Sequence, residues 1–164
     1  CADETGRPNM ITLGEVFNIS IARPVILGIA IRKERYSHEL ISRTREYVVN
    51  MPTQTIAEQV WQCGRASGRD VTKFAVTGLT PVPASVVTAP LIAECPVNIE
   101  CRVIGIQEIG DHDLFLGEAL AQHVARAGQE RPGHAARRRR GRAGPGRPSG
   151  RAGGRARGAP GCGR

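Results

Sequence analysis

The hydrophobic positions of this 164-residue chain follow two different patterns in its two strongest segments. A continuous apolar run, Val25 to Ile31, follows Pro24 and ends in a charged cluster, which is typical of a strand buried on both faces. Apolar and polar residues alternate from Val97 to Val103, so this stretch is predicted to be a strand with one buried and one solvated face. Gly110 to Asp113 is interpreted as a turn, after which Leu114 to Val124 returns as a strand.

Helical signals are few and short. Thr55 and Glu58 have the spacing of a capping box, which predicts a helix that starts there and ends near Gly64. Its apolar positions include Trp61, which is therefore expected in the core. A second short helix is predicted over residues 37–42.

Shorter β segments complete the pattern. Residues 10–13 and 46–51 are predicted to be strands, and the proline-rich stretch 81–90 is predicted to be an extended connector. One folded domain is therefore expected over residues 1–127, mainly β, with a β-barrel and short helices.

The composition changes abruptly after Ala127. Residues 1–127 hold 12 Lys and Arg against 14 Asp and Glu, whereas residues 128–164 hold 11 Arg against one Glu. Gly, Ala, Pro and Arg make up 32 of those last 37 residues. Such a segment has too little apolar surface to form a core, so residues 128–164 are predicted to be a disordered Arg/Gly-rich tail.

The tail has two candidate origins. Arg without Lys, mixed with Gly, Ala and Pro, is what GC-rich DNA gives when it is translated out of frame, which predicts a frameshift near codons 124 to 126. The alternative is a genuine nucleic-acid-binding tail, whose charge would give nonspecific, salt-sensitive contact. The tail has no aromatic residue for base stacking, which favours the first origin.

The number and spacing of the cysteines indicate the cellular compartment of the protein. The five cysteines contain no CxxC pair, which argues against a zinc site and a disulfide framework and favours reduced, mostly buried thiols in a cytoplasmic protein. The pair Cys95 and Cys101 is interpreted as packing residues. The longest apolar run is too short to span a bilayer, and no signal peptide opens the chain, so no membrane association is expected.

A series of motifs in a fixed order resembles the flavin reductase-like domain family, close to its flavoredoxin branch. The motifs are Gly6-Arg7-Pro8-Asn9-Met10-Ile11-Thr12, Ile31 to His38, Val49-Asn50-Met51-Pro52, Cys63 to Asp70, Lys73-Phe74, Ala93 to Val97 and Gly110 to Glu118. The resemblance implies an FMN-binding split barrel, usually a homodimer, that passes electrons from NADH or NADPH to flavin or through bound FMN. Since the cofactor carries that chemistry, no catalytic residue and no metal site is expected.

The resemblance also implies which residues hold the cofactor. A basic cluster after the buried strand would bind the FMN phosphate through charge-assisted hydrogen bonds: Arg32, Lys33, Arg35, Tyr36 and Ser37. An early segment would run beside the flavin: Asn9, Met10, Ile11, Thr12 and Gly14. Taken without the resemblance, the first group is a solvated charge run and the second is a plain strand.

Two further groups complete the predicted cofactor site. A polar loop would cover the phosphate or the ring: Ser67, Gly68, Arg69 and Lys73. The alternative for this loop is a surface turn held by an Arg69–Asp70 pair. His112 would approach the flavin or the nicotinamide, and its alternative is a solvent-exposed turn histidine.

The ends of the chain depart from the family pattern. Relatives carry a strand before the position of Cys1 and an acidic linker after that of Val124, and both are expected to be missing here. Besides an FMN-dependent oxidoreductase, two alternatives therefore stay open. One is a nucleic-acid-binding protein that acts through its tail, and the other is an inactive truncated relative.

Overall fold

The computed structural model describes residues 1–125, which form one five-stranded antiparallel sheet, a small two-stranded sheet and three short helices. The strands are β1 (Phe17–Ser20), β2 (Ile26–Arg32), β3 (Glu46–Met51), β4 (Pro81–Val82), β5 (Leu91–Ile92), β6 (Val97–Ile109) and β7 (His112–Val124). The helices are α1 (Tyr36–Thr44), α2 (Ala57–Arg65) and α3 (Lys73–Thr77), with a 3₁₀ turn at Gln54–Ile56. The large sheet has the order β1-β2-β7-β6-β3, and β4 pairs with β5. The prediction of a mainly β fold is confirmed.

The centre of the sheet is the hairpin of β6 and β7, each 13 residues long. The chain reverses at Gly110, whose φ of +58° lies in the left-handed region that glycine tolerates. The predicted turn was too long, because His112 already pairs with Ile109 and begins β7. Two register shifts, between Glu100 and Cys101 and between Val103 and Gly105, interrupt the ladder, and such bulges bend a strand.

The buried strand predicted from the continuous apolar run is confirmed as β2. Its side chains Leu27, Ile29 and Ile31 are all buried in the main core cluster. The other face of β2 holds Ile26, Gly28 and Ala30, which are buried or half-buried, so the run has no solvated face. The strand predicted at residues 46–51 is also confirmed, as β3.

The strand predicted at residues 10–13 is not formed. Within residues 1–125 the peptide groups of this segment have no backbone hydrogen-bond partner. Side chains hold it instead: Met10 packs in the second core cluster, and the Thr12 hydroxyl donates a 2.7 Å hydrogen bond to the Val60 carbonyl. Apolar composition therefore indicated burial here but not β pairing.

The α2 helix corrects two predictions. Thr55 does not cap it: the residue lies in the 3₁₀ turn, its hydroxyl bonds that of Thr53, and the helix begins at Ala57. Trp61 is 63% exposed and not in the core. The helix buries Cys63 instead, which leaves Trp61 on the outer side, with the Arg65 guanidinium 5.9 Å from its ring centroid.

The polar face of β6 is buried where the alternating pattern predicted solvation. Asn98 and Glu100 are both 0% exposed, because β5 contacts Asn98 and the segment between β4 and β5 contacts Glu100. Glu100 accepts hydrogen bonds from the backbone amides of Ser85, Val86 and Val87, at 2.8, 2.6 and 3.0 Å, and from the Ser85 hydroxyl at 2.6 Å. His123 Nε2 lies 2.6 Å from the same carboxylate.

These contacts make the Glu100 carboxylate the anchor of an irregular connector. Burial alone would raise the pKa of Glu100, but the hydrogen bonds from Ser85, His123 and Val86 outweigh it and lower the pKa to about 2. Asn98 also binds a backbone amide, since its Oδ1 accepts a hydrogen bond of 3.0 Å from the Ile92 amide of β5. The backbone amides of Ser85, Val86 and Val87 thus find their partner in a side chain and not in a neighbouring strand.

The predicted burial of the cysteines holds for Cys1, Cys63, Cys95 and Cys101. No helix within residues 1–125 combines the length and the hydrophobicity that a bilayer crossing needs. The tail at 128–164 lies outside the described residues, so its disorder, its origin and its nucleic-acid contact stay predictions, as does the domain boundary at residue 127.

Candidate functional site

A polar cavity of about 290 Å³ lies between the start of α1 and the loop that joins α2 to α3. Nine of the fifteen residues predicted to hold a cofactor line this cavity: Ile11, Thr12, Arg35, Tyr36, Ser37, Ser67, Gly68, Arg69 and Lys73. Three further lining residues, Glu34, Gly64 and Ala66, lie inside the motifs that carry the family resemblance but were not singled out. Three separate stretches of sequence therefore meet at one place.

Lys73 is the most unusual residue of this cavity, because it is a buried cation. Its side chain is 6% exposed, and its ammonium donates one hydrogen bond of 2.9 Å, to the Cys63 carbonyl. Burial chiefly lowers the pKa of Lys73; the Cys63 thiol acts against that shift and the Arg35 charge adds to it. Within residues 1–125 no carboxylate lies within ion-pair distance of Lys73. A buried charge without a partner is costly, so an anion in this cavity would stabilise the charged form of Lys73.

Arg35 and Arg69 add two guanidinium groups, which differ in their surroundings. Arg69 is held in place by the Glu34 carbonyl at 3.1 Å and the Glu39 carboxylate at 3.0 Å, and it lies over the Tyr36 ring. The alternative of an Arg69–Asp70 pair is wrong, since Glu39 is the partner. Arg35 has no ion-pair partner among the described residues, so its charge adds to that of Lys73.

Asn9 and Gly68 form the tight contact at the back of the cavity. The Asn9 amide donates a 2.9 Å hydrogen bond to Ser37 Oγ, and both side chains are buried. Gly68 packs so closely that a Cβ there would overlap Asn9 Oδ1 and lie 3.0 Å from Tyr36 Cδ1. Asn9 therefore does not line the cavity but fixes two residues that do.

We expect Gly68→Ala to lower the free energy of unfolding by about 1–3 kcal/mol, because the added methyl group must push Asn9 or the loop away. Gly14→Ala is the matched control, since a Cβ at that position meets no atom within 4 Å. Urea unfolding of both variants measures the difference. Equal stability of the two variants would show that the loop yields without cost.

Thr12 and Ile11 border a second, apolar cavity of about 250 Å³ as well as the polar one. Met10 lines only the apolar cavity, and Gly14 lines neither of the two. The peptide groups of residues 10–13 are not used in the sheet, so they stay available for hydrogen bonds to a ligand along the cavity wall.

Neither cavity is lined by three of the residues predicted to bind the cofactor: Arg32, Lys33 and His112. Arg32 lies across from His112 in the β2–β7 ladder and pairs with Glu34 at 3.1 Å, while His112 Nδ1 lies 2.7 Å from Asp111. Lys33 pairs with Glu108 and lies 3.8 Å from Asp113. These three side chains form an exposed, charge-compensated cluster, and their role in cofactor binding stays a prediction.

Both the sequence and the structure of the chain are similar to those of known proteins. A family model for the flavin reductase-like domain matches residues 1–144. The structure is similar to flavoredoxin of Desulfovibrio vulgaris (Miyazaki F), with a TM-score of 0.71, 28% identity and coverage of 77% of this chain and 67% of that one. It is also similar to flavoredoxin from Methanosarcina acetivorans, with a TM-score of 0.69, 32% identity and coverage of 75% and 64%.

The sequence is similar to that of an uncharacterized protein of Archaeoglobus fulgidus, with 42% identity over 114 residues, which are 70% of this chain. The chain spans 64% of the length of that relative. The family match and the two flavoredoxin structures agree with the resemblance drawn from the motifs. The chain belongs to the flavin reductase-like domain family.

Proposed function

We propose that this chain binds FMN with the phosphate in the polar cavity, and that it serves as a flavin reductase or a flavoredoxin-like electron carrier. The observation that carries the proposal is the buried Lys73 ammonium, which has no carboxylate partner within residues 1–125. Arg35 lies close enough to lower the Lys73 pKa, so two positive charges converge on one cavity. A terminal phosphate carries the charge that would balance them.

The donors around the cavity suit a phosphate in number as well as in charge. The Lys73 ammonium has three protons and uses one of them on the Cys63 carbonyl, which leaves two for phosphate oxygens. Ser37 and Ser67 add hydroxyl groups to the same wall, and Arg35 adds a guanidinium. Arg69 is held by Glu39 and stacked on Tyr36, so we assign it to shaping the cavity.

The segment from Met10 to Gly14 would orient the flavin ring. Its free peptide groups can bond the polar edge of the ring, and the Thr12 side chain is fixed by its bond to Val60. FMN, when bound, takes up and passes on electrons, so the residues of this chain need only bind, orient and shield it. A catalytic acid or base has no place in this proposal.

The family resemblance extends the proposal to NADH or NADPH as electron donor, to a homodimer and to a cytoplasmic location. One feature of the structure supports a partner subunit: β1 is an edge strand with large exposed apolar side chains, and Ile21 just after it is 87% exposed. Exposed apolar residues on an edge strand favour contact with another chain.

The test of the proposal is the visible absorption spectrum after the protein is mixed with FMN or with riboflavin and then desalted. We expect FMN to be retained at about one per chain and riboflavin to be lost, because riboflavin lacks the phosphate. Equal retention of the two would remove the phosphate assignment, and loss of both from folded protein would remove the flavin site. Oxidation of NADH and NADPH by the loaded protein then tests the donor separately.

A further inference from the structure

The first turn of α1 carries two residues of the polar cavity, Arg35 and Ser37, but it has no helix cap. Within the part of the chain that the structure describes, no side chain accepts a hydrogen bond from the free amides at this end. The apolar residues that anchor α1 in the core, Leu40 and Ile41, lie one turn further along. The position of the first turn therefore depends on contacts that its side chains make with other elements.

His38 makes such a contact with β7. Its Nε2 atom lies 2.8 Å from Asp113 Oδ2, and its ring meets the ring of Phe115 edge-on, with 5.2 Å between the centroids. Asp113 and Phe115 are two residues apart in the strand, so they face the same side of the sheet. The side chains of His38 and Asp113 are only 16% and 15% exposed. One imidazole ring thus joins the helix to the strand by packing and by a hydrogen bond.

The Asp113 carboxylate makes its one side-chain hydrogen bond within residues 1–125 to His38. Its other oxygen, Oδ1, is buried without a hydrogen-bond partner among those residues, and Lys33 Nζ lies 3.8 Å from it. An ionised carboxylate only accepts hydrogen bonds, so the proton of this contact belongs to His38 Nε2. Such charge-assisted bonds are about twice as strong as neutral ones, which makes this pair a firm link between α1 and β7.

The His38–Asp113 pair acts on the cavity through the backbone of the first turn. The His38 amide donates a hydrogen bond of 2.9 Å to the Arg35 carbonyl, and the Arg35 amide donates one of 3.0 Å to the Arg32 carbonyl. His38 does not line the cavity, whereas Arg35 and Ser37 on its N-terminal side do. A shift of His38 would therefore move both cavity residues.

We propose that His38 is a positioning residue for the phosphate site. Its contact with Asp113 holds Arg35 and Ser37 in the wall of the polar cavity and thereby raises the affinity for FMN. The inference rests on the proposed function for the identity of the ligand, but the contact itself can be tested without flavin.

Hydrogen exchange of the flavin-free protein tests the contact. His38→Leu keeps an apolar side chain and removes the donor, so the amides of Arg35 and His38 should exchange roughly tenfold faster or more. The Arg45 amide, bonded to the Ile41 carbonyl at the other end of α1, should keep its rate. His38→Gln supplies an N–H donor again and should restore most of the protection.

Titration with FMN and with riboflavin tests the positioning role. His38→Leu should weaken FMN binding by about 2- to 30-fold, the range for a residue that acts on a site through its neighbours. Riboflavin binding should not change, because riboflavin lacks the phosphate, and His38→Gln should rescue FMN binding. His123→Leu is the matched control, since it removes a histidine contact of 2.6 Å with the Glu100 carboxylate at the opposite end of β7. It should change neither the exchange of the α1 amides nor FMN affinity.

Each outcome bears on a different step. Unchanged exchange of the Arg35 and His38 amides in His38→Leu would overturn the inference. Faster exchange with unchanged FMN affinity would overturn the positioning role, as would a loss of affinity that His38→Gln does not rescue. If the unsubstituted protein binds no FMN, the proposed function fails and the positioning role with it, whereas failure of the inference alone leaves FMN binding intact.

A reciprocal variant covers the case in which His38→Leu does not fold. Asp113→Ala removes the same hydrogen bond from the side of the strand and leaves the His38 ring packed on Phe115. The same increase in exchange and the same loss of FMN affinity are expected. Unchanged values of both in Asp113→Ala would contradict the role of the pair.

Discussion

Lys73→Met is expected to weaken FMN binding by roughly 10- to 100-fold, because a charge-assisted hydrogen bond to phosphate contributes about 1.5–3 kcal/mol. The same change should leave the flavin-free protein about as stable as before. Met retains the buried volume and removes an ammonium that has no counter-ion, which offsets the lost bond to the Cys63 carbonyl. Titration with FMN followed by fluorescence gives the first quantity, and urea unfolding gives the second.

Lys33→Met is the comparison variant, since Lys33 is the other lysine of the chain and lies outside the cavity, paired with Glu108. Its effect on FMN affinity should be less than about threefold, the size of a screened surface charge. Should Lys33→Met weaken binding as much as Lys73→Met does, the phosphate would lie at the exposed cluster and not in the cavity.

Glu100→Ala is expected to lower the free energy of unfolding by about 3–5 kcal/mol, because it leaves several buried donors without an acceptor. Three of these are backbone amides of the connector, so the segment around Ser85 to Val87 should detach before the rest of the domain unfolds. Hydrogen exchange of those amides, together with urea unfolding, measures both effects. Protection of the amides in the variant would contradict this role.

The same carboxylate should make stability depend on pH. The pKa of Glu100 is lowered from 4.5 to about 2 in the folded protein, so its contribution of roughly 3 kcal/mol is full above about pH 5. It is lost as the pH falls through about 2, where the folded protein also binds the proton. Glu100→Gln keeps the shape without titrating, so its stability should change less between pH 5 and pH 2. An unchanged pH profile in that variant would assign the acid sensitivity to other groups.

The lining of the polar cavity was predictable from the sequence only where a motif stayed together in space. The cavity is lined by Arg35 and Ser37 because α1 begins directly at the end of the basic run. The loop at residues 67–69 lines the opposite wall. Arg32 and Lys33 are sequence neighbours of Arg35, but Arg32 still belongs to β2, where it lies across from His112, and neither of the two lines the cavity. A run of cations shows that charge is present and does not show which charges are already compensated.

Burial was harder to predict than periodicity. The alternation along β6 is real, but the face that holds Asn98 and Glu100 is covered by a connector, and no local pattern indicates that cover. Trp61 is a similar case, since its helix is amphipathic but turns another face to the core. Which face is buried depends on distant segments, and only tertiary structure brings them together.

The long hairpin of β6 and β7 also has a kinetic consequence. Its two strands are joined through Gly110 and Asp111, so pairing them requires almost no loop closure. By contrast, β3 pairs with β6 only after the chain has closed a loop over residues 52–96. The hairpin has the lowest entropic barrier of any strand pair in the sheet, and both of its outer edges are then ready to receive β2 and β3. We therefore expect this hairpin to be structured in the folding transition state, with the remaining strands added to its edges afterwards.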